Sequence, residues 1–479
     1  MTISRVFVAN RGEIALRVVN ACRALGVETV VGFSEADKDS LPVRAADRAV
    51  SIGPARAVES YLSVEAIIRA ARKSKADALH PGYGFLAERP ELAEACESNG
   101  IKFIGPSAQS IRQMGNKLWA RALAKKFGIP VGAGSEQIHN SKEAAKVGAK
   151  IGFPVLIKAA AGGGGRGMKI VTAPRELPSS FSTAAAEARA AFGDPTLYLE
   201  RYIPNARHIE VQILADSFGN VIHVGERDCS LQRRHQKVME EAPAASLAAA
   251  LREEIQAAAV KIAKKSGYEN AGTIEFILDQ DAERYYFLEM NTRIQVEHPV
   301  SELISGMDLV QEQIRIAGGA KLSRAQSEIK FSGHAIECRI NAESAAHGFR
   351  PAPGLITDWQ PPQGPDIRLD SHCYKGYRVP PYYDSLLAKL IVRGKHRVEA
   401  VARMQEALDN FHVAGVDTTI PFLRFVTQRL QYVKGEVNTR WLEALLAASP
   451  FQAAAERGSA PTPSLSPPYQ GGDEEGVAP

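Results

Sequence analysis

Short apolar runs alternate with amphipathic stretches over the first hundred residues, the pattern of a parallel α/β sheet. Residues 6–9, 29–33, 76–79 and 101–104 read as strands. Between the first two, Ile14, Ala15, Val18, Val19, Cys22 and Leu25 recur at helical spacing, and Gly26 follows where a left-handed cap is wanted. The segments Asn10-Arg11-Gly12-Glu13 and His80-Pro81-Gly82-Tyr83-Gly84 then fall at the carboxyl ends of strands, where open α/β sheets place their ligands. Residues 106–130 read as connecting helices, 153–158 as a strand, 159–167 as a glycine-rich loop and 168–172 as another strand. Further on the period becomes two: residues 209–213 alternate apolar and polar, and two more strands flank a turn at 279–284. Helical stretches at 251–265 and 397–408 cover these strands. From Gln452 the chain is Ala, Ser, Pro, Gly and acid, the composition of a disordered tail over 452–479. No internal repeat is visible.

A chain of 479 residues is too long for one ordinary core, so two or three domains are expected. Lys+Arg 58 against Asp+Glu 54 leaves a net charge of +4 and no global polyanion-binding field, so nucleic acid is not an expected partner. The five cysteines are widely spaced and form no Cys-x-x-Cys pair, which fits a reducing cytosol and excludes a zinc ribbon. No signal-peptide stretch and no run of roughly 20 apolar residues is present, so a soluble cytoplasmic protein without membrane contact is expected.

The run Gly162-Gly163-Gly164-Gly165-Arg166-Gly167 leaves backbone amides free to approach a polyanion, phosphate above all. The other reading of that run alone is a flexible hairpin turn. A Walker loop leads from strand to helix, whereas here a strand follows, so the segment reads as a loop that folds over phosphates from above. Lys158, at the end of the preceding strand, and Lys117 are suited to the phosphate charge.

Residues 272–278 and 285–291 carry the most informative pattern. Glu275 and Glu289 are equidistant from position 282, so an antiparallel register sets two like charges face to face. Either both are hydrated, or a cation lies between them, Mg²⁺ or Mn²⁺ being the simplest. Asn291, Arg293, Gln295 and Glu297 share the parity of Glu289, and an extended chain would point all five to one side. Such a row reads as a site where a metal-bound phosphate meets a small oxyanion: Glu289 and Asn291 on the metal, Arg293 on the oxyanion, Glu297 free to take a proton. The basic run Arg233-Arg234-His235-Gln236-Lys237 by itself reads as a solvated loop before an anion contact, and as a nucleic-acid patch last.

These motifs together resemble the biotin carboxylase component of biotin-dependent carboxylases, an ATP-grasp enzyme, over residues 3–447. The resemblance rests on Asn10-Arg11-Gly12-Glu13-Ile14-Ala15, His80-Pro81-Gly82-Tyr83-Gly84, the glycine loop, Glu226-Arg227-Asp228-Cys229-Ser230, Glu289-Met290-Asn291-Thr292-Arg293 and Pro380-Pro381-Tyr382-Tyr383-Asp384-Ser385. It implies a multidomain α/β and α+β fold: an N-terminal parallel α/β domain over 1–113, an ATP-grasp domain over 114–330 with a mobile lid at about 131–203, and a C-terminal biotin carboxylase domain over 331–447. The implied reaction phosphorylates bicarbonate with ATP to carboxyphosphate and attaches the released CO₂ to N1 of biotin. It is the first half-reaction of an acetyl-CoA or other acyl-CoA carboxylase, with the biotin carboxylase component of a pyruvate carboxylase or another ATP-grasp carboxylate ligase as the alternative.

By the same resemblance Lys117, Lys158, Gly162, Gly163, Gly164, Gly165, His208, Gln232 and His235 contact ATP, with Glu200, Arg201, Tyr202 and Ile203 around adenine. Glu275, Glu289 and Asn291 hold two Mg²⁺ or Mn²⁺ ions. Lys237, Arg293, Gln295 and the backbone of Val296 bind bicarbonate, Glu297 deprotonates it, and Arg339 stabilises the biotin enolate. The basic run thereby becomes an anion contact. Asn116, Ala87 and Arg201 depart from the residues common in the family, Asp, Ser and Lys, without touching the chemistry. No Ala-Met-Lys-Met biotinylation segment is present, so the carrier protein bearing biotin and the carboxyltransferase are expected on other chains. A homodimer stays open, although Asn20 and Ala24 lack the charges that some dimeric relatives carry there.

Overall fold

The computed structural model describes residues 3–160, 168–448 and 451. The glycine run Gly162 to Gly165 and the expected tail from Gln452 lie outside the described residues. The strands Arg48–Gly53, Glu28–Ser34, Arg5–Val8, Ala78–His80 and Lys102–Phe103 lie side by side in that order, all parallel. Four match the apolar runs seen in the sequence. Arg48–Gly53 has no such run because it is the edge strand and stays largely exposed.

The chain reverses its direction of winding between Arg5–Val8 and Ala78–His80, and the loops leaving these two strands meet. Asn10 Nδ2 donates to Pro81 O at 2.7 Å and to Tyr83 O at 2.8 Å. Gly82 is required at this crossing: its φ is +63°, and a Cβ there would lie 2.8 Å from the Asn10 amide nitrogen. Helix Gly12–Ala24 follows the first strand and ends at Leu25 with Gly26 at φ +69°, as the periodicity expects.

Among the described residues a second sheet has eight antiparallel strands, ordered Arg284–Asn291, Asn270–Asp279, Ala206–Ala215, Val221–Arg233, Gln236–Ala242, His334–Asn341, Leu386–Gly394 and Ile367–Ser371. It continues without a break across position 330, where Gln236–Ala242 pairs with His334–Asn341. Helix Ala249–Lys265 packs Ile255, Ala259 and Ile262 on one stretch of it, and helix Arg397–Asp409 packs Val401, Met404 and Leu408 on another. In Ala206–Ala215 every residue is buried, on the polar face as well as the apolar one. The alternation there separates a greasy side from a sealed, charged side, with no solvated side at all.

The third sheet is small and antiparallel: Lys169–Val171, Val155–Ala159 and Leu197–Arg201. Helices Ser141–Ile151 and Leu177–Phe192 cover it, and Val155, Ile157, Val171, Leu177, Phe181, Leu197 and Leu199 form a core separate from the others. Each large side chain of that core contributes about 1.5–3 kcal/mol by leaving water. Among the described residues no helix is long and apolar enough to cross a membrane.

Candidate active site

The hairpin of Asn270–Asp279 and Arg284–Asn291 pairs Glu275 directly with Glu289, as the symmetry about position 282 expects. Nearer the turn the register shifts by one, which leaves Leu288 as a bulge. The two carboxylates have unlike surroundings. Glu275 is buried; its Oε1 accepts from Lys237 Nζ at 3.0 Å and Asn291 Nδ2 at 2.7 Å, and its Oε2 lies 3.2 Å from His208 Nε2. Burial pushes this carboxyl up, but Lys237 and His208 outweigh burial and bring it down to about 2. Burial likewise disfavours the charged His208 ring, and Glu275 overrides it, raising the imidazole to about 9. Glu289 is 22% exposed and pairs with Lys117 Nζ at 2.7 Å.

The expected extended row from Glu289 to Glu297 is not formed. The strand ends at Asn291, and the chain turns through 292–297 into helix His298–Ser305, with Pro299 in its first turn. The departure has an identifiable partner: Glu88, in the loop after Ala78–His80, accepts from Thr292 N–H at 3.3 Å and Arg293 Nε at 2.9 Å. The polar groups still converge, by a turn and not by pleating. Arg293 Nη1 donates to Gln295 Oε1 at 3.0 Å. Among the described residues the buried Gln295 Nε2 has no partner, so an unused donor lies beside Arg293.

Lys237 is the centre of the cluster. Its single ammonium meets Glu210, Glu275 at 3.0 Å and Glu297 Oε1 at 2.7 Å. Burial alone would lower this lysine; Glu210, Glu275 and Glu297 together hold it well above its ordinary value, so it stays charged. Glu210 is also gripped by the fully buried Arg227, which donates to Gln212 at 2.9 Å, Ser301 at 3.0 Å and Thr273 at 3.1 Å. On the far side of Glu297, Arg339 Nη2 donates to Oε2 at 2.8 Å and Arg339 Nε to Glu240 at 2.7 Å. Lys389 Nζ donates to Val296 O at 3.0 Å and lies 3.2 Å from Glu13, tying the segment before Glu297 to the first sheet.

The remaining candidates divide. Lys158 Nζ donates to Glu200 at 2.9 Å, and Arg121 pairs with the same carboxylate. Arg201 and Tyr202 have their amides engaged by Ala133 O at 2.7 Å and Pro154 O at 3.1 Å where the chain leaves the small sheet toward Ile203. Gln232 is buried and donates to Cys229 O at 2.9 Å. Arg234 and His235, with φ of +49° and +63°, form an exposed two-residue hairpin turn, so the basic run splits between a solvated tip and the inward Lys237. Arg234 and His235 are exposed to solvent, whereas Lys237 is turned into the protein. Sequence reasoning missed Glu210, Arg227, Glu240, Glu88 and Lys389. The signal for Glu210 and Arg227 was present, since charged residues punctuate strands too apolar to be solvated.

A closely packed set of alternating ammonium, guanidinium and carboxylate groups can receive anionic reactants. Three family models match the chain: "Biotin carboxylase, N-terminal domain" over residues 2–111, "Carbamoyl-phosphate synthase L chain, ATP binding domain" over 116–325, and "Biotin carboxylase C-terminal domain" over 337–444. Biotin carboxylase 1 of Bacillus subtilis is 51% identical over 442 residues, 92% of this chain and 98% of that protein. The chain belongs to the biotin carboxylase family. A pyruvate carboxylase subunit from Methanothermobacter thermautotrophicus is 50% identical over 92% of this chain and 89% of its own length. Among solved structures, a biotin carboxylase–β-γ-ATP complex from Campylobacter jejuni matches with TM-score 0.90 and 47% identity, covering 92% of this chain and 99% of that one. The biotin carboxylase domain dimer of Hydrogenobacter thermophilus 2-oxoglutarate carboxylase, with MgADP, ADP and bicarbonate, matches with TM-score 0.90 and 47% identity over 93% and 98%.

Proposed function

We propose that this biotin carboxylase family member uses ATP and bicarbonate to carboxylate biotin borne by a separate carrier protein, the first half-reaction of an acyl-CoA carboxylase. The observation that carries the reading is Glu297 held between Lys237 and Arg339, a base placed between one cation suited to bicarbonate and another suited to an enolate. Bicarbonate rests on Lys237, Arg293, Gln295 and the Val296 backbone. Its oxygen attacks the γ-phosphorus, the bond to the β,γ-bridging oxygen breaks, and Glu297 takes the proton that bicarbonate gives up. Carboxyphosphate then breaks down to CO₂ and phosphate beside biotin; the released phosphate takes the N1 proton, and N1 attacks CO₂ while Arg339 faces the ureido oxygen.

ATP lies between Lys117, His208, Gln232 and His235 on one side and Lys158, the glycine loop and the segment 200–203 on the other. With the Arg201 and Tyr202 amides already engaged, the Ile203 amide serves the base. Glu275, Glu289 and Asn291 form an oxygen-rich set whose opposed carboxylates are each already met by a lysine, so the place demands positive charge and suits Mg²⁺ or Mn²⁺. When bound, the metal neutralises phosphate charge in flight. All five cysteines are free and buried, which supports a reducing cytoplasm as the compartment. The chain works with a biotin carrier and a carboxyltransferase, and the similarity to a domain dimer favours a homodimer. In an acyl-CoA carboxylase the product serves fatty acid synthesis. The similarity to the Methanothermobacter pyruvate carboxylase component carries the second reading, in which pyruvate is the final acceptor.

The test is ATP hydrolysis by the purified chain with and without bicarbonate and free biotin. Hydrolysis should require bicarbonate and rise with biotin. Hydrolysis that ignored bicarbonate, or that required an amine or thiol, would overturn the reading.

A further inference from the structure

Behind Arg339 the sheet carries two carboxyls that the steps above do not use. Glu240 and Glu337 are cross-strand partners on Gln236–Ala242 and His334–Asn341, and both are fully buried. Arg339 lies two residues beyond Glu337 and so shares its face, opposite Lys389 on the next strand. Helix His298–Ser305 roofs this face, with Val300 and Ile304 on Ala242, Ala335 and Ile391. Glu297, the residue just before that helix, makes no cap with its side chain and reaches instead to Lys237 and Arg339.

Arg339 is therefore held by two carboxylates from different directions. One oxygen of Glu240 takes the Nε–Nη2 edge from within the sheet, 2.7 Å from Nε and 2.5 Å from Nη2, and Glu297 takes Nη2 from the other side at 2.8 Å. A guanidinium is planar, so fixing its Nε edge fixes the plane and the directions of the remaining N–H groups. Arg339 keeps 18% of its side chain exposed while Glu240 is sealed, so the guanidinium is anchored on its buried edge and open on the other.

We infer that Glu240 is the positioning residue of Arg339, anchoring its Nε–Nη2 edge so that protonation of Glu297 frees the outer N–H of Nη2 for the biotin enolate. The inference rests on the roles given above to Glu297 and Arg339. The proton that bicarbonate loses goes to Glu297, whose hold on Nη2 weakens as its charge disappears. Glu240 remains, so Arg339 turns about a fixed edge and does not leave the site. The cation for the enolate thus becomes available only after bicarbonate has been activated, which orders the two half-steps without moving the backbone.

The charged and titratable groups facing Glu240 are Arg339, Glu297, Lys237, Glu337, Cys229 and Cys338. Burial pushes the Glu240 carboxyl up, against the pull of Arg339, to about 7. Burial also raises the Glu337 carboxyl, and neither of its oxygens has a hydrogen-bond partner among the described residues, so Glu337 is the member of the pair poised to be neutral. As pH falls through about 7 Glu240 therefore takes up a proton, its grip on Nε weakens, and the biotin step slows.

The experiment compares Glu240→Gln, Glu240→Asp and Glu337→Gln with the wild type in two assays, carboxylation of free biotin and bicarbonate-dependent ATP hydrolysis without biotin, each across the neutral pH range. Glu240→Gln should lower carboxylation by about 10- to 100-fold, the usual loss when a group that orients another is removed. Hydrolysis without biotin should fall far less, since Arg339 does not touch the phosphates. The wild-type acid limb near pH 7 should appear in carboxylation and be missing from Glu240→Gln. Glu240→Asp, which keeps the charge, should recover part of the loss, and Glu337→Gln should behave as wild type because an amide replaces a neutral carboxyl. Equal loss of both activities in Glu240→Gln, retention of its acid limb, or an equally damaging Glu337→Gln would overturn the inference. Wild-type hydrolysis indifferent to bicarbonate would instead overturn the functional reading on which it rests.

Discussion

On one wall of the cleft Glu210, Lys237, Glu275, Glu297 and Arg339 stand on or against an eight-stranded sheet whose strands are built into two large cores. On the other wall Lys158 and Glu200 stand on a three-stranded sheet with a core of its own, tied to the body through bridges such as Val131 to Phe287 and through the segments around 131–138 and 200–206. The first wall fixes charges relative to one another, because each sits in a strand or helix start shared by neighbouring domains. The second has its own core and few apolar contacts outside it, so it is expected to move as a unit. Chemistry that needs a base and two cations in register belongs on the first wall, and closing over a nucleotide belongs to the second.

The sharpest way to break this division is on the fixed wall. Glu297→Gln keeps shape and hydrogen-bonding reach but removes the base, so turnover should fall by roughly 10² to 10⁴ with metal and ATP binding nearly intact. Retained turnover, measured as bicarbonate-dependent ATP hydrolysis, would show that the proton goes elsewhere. Arg293→Ala and Arg339→Ala should each lower turnover by roughly 10² to 10³, the loss typical of a preorganised charge-stabilising group. Nucleotide affinity, read by calorimetry, should barely move in either; a loss of ATP binding with normal remaining turnover would reassign them to the nucleotide.

The sequence made the hairpin legible because its information is local: Glu275 and Glu289 are symmetric about a turn, and pairing them needs no knowledge of the rest of the chain. The four other strands of the first sheet were legible for the same reason, being short apolar runs, while the edge strand Arg48–Gly53 had no run to show. The row from Glu289 to Glu297 was misread because what bends it is Glu88, some two hundred residues earlier in the chain. Glu240 and Lys389 were invisible for a related reason. Each looks like an ordinary polar position in a strand until a roof of helix His298–Ser305 or a neighbouring Glu13 seals it from water.

A smaller effect sharpens the comparison within the hairpin itself. Glu289→Gln removes one carboxylate that is partly exposed and paired only with Lys117 among the described ion pairs, so metal affinity should drop on the order of 10- to 100-fold as one ligand charge is lost. High Mg²⁺ should restore part of the activity. Glu275→Gln should resist that rescue, because the same change strips Lys237 and His208 of a partner they need in a buried place. Equal rescue of both variants would mean that the two carboxylates act alike, in spite of their surroundings.

The smallest expected effect reads the second wall directly. Hydrogen exchange should be followed in the strands Val155–Ala159, Lys169–Val171 and Leu197–Arg201 and, as the internal reference, in Ala206–Ala215 and Asn270–Asp279. Lys158 pairs with Glu200 inside the unit, and Glu200 also pairs with Arg121 on the body, so the wall carries one electrostatic tie to the rest of the molecule. A nucleotide analogue with Mg²⁺ supplies phosphate oxygens that Lys158 and the loop amides can meet only by coming down onto them. Protection should therefore rise in the small sheet and its flanking helices and stay level in the reference strands, whose ladder bonds are buried with or without ligand. A rise of equal size on both walls would mean that nucleotide tightens the whole molecule, and no rise in the small sheet would mean that it does not act as a lid.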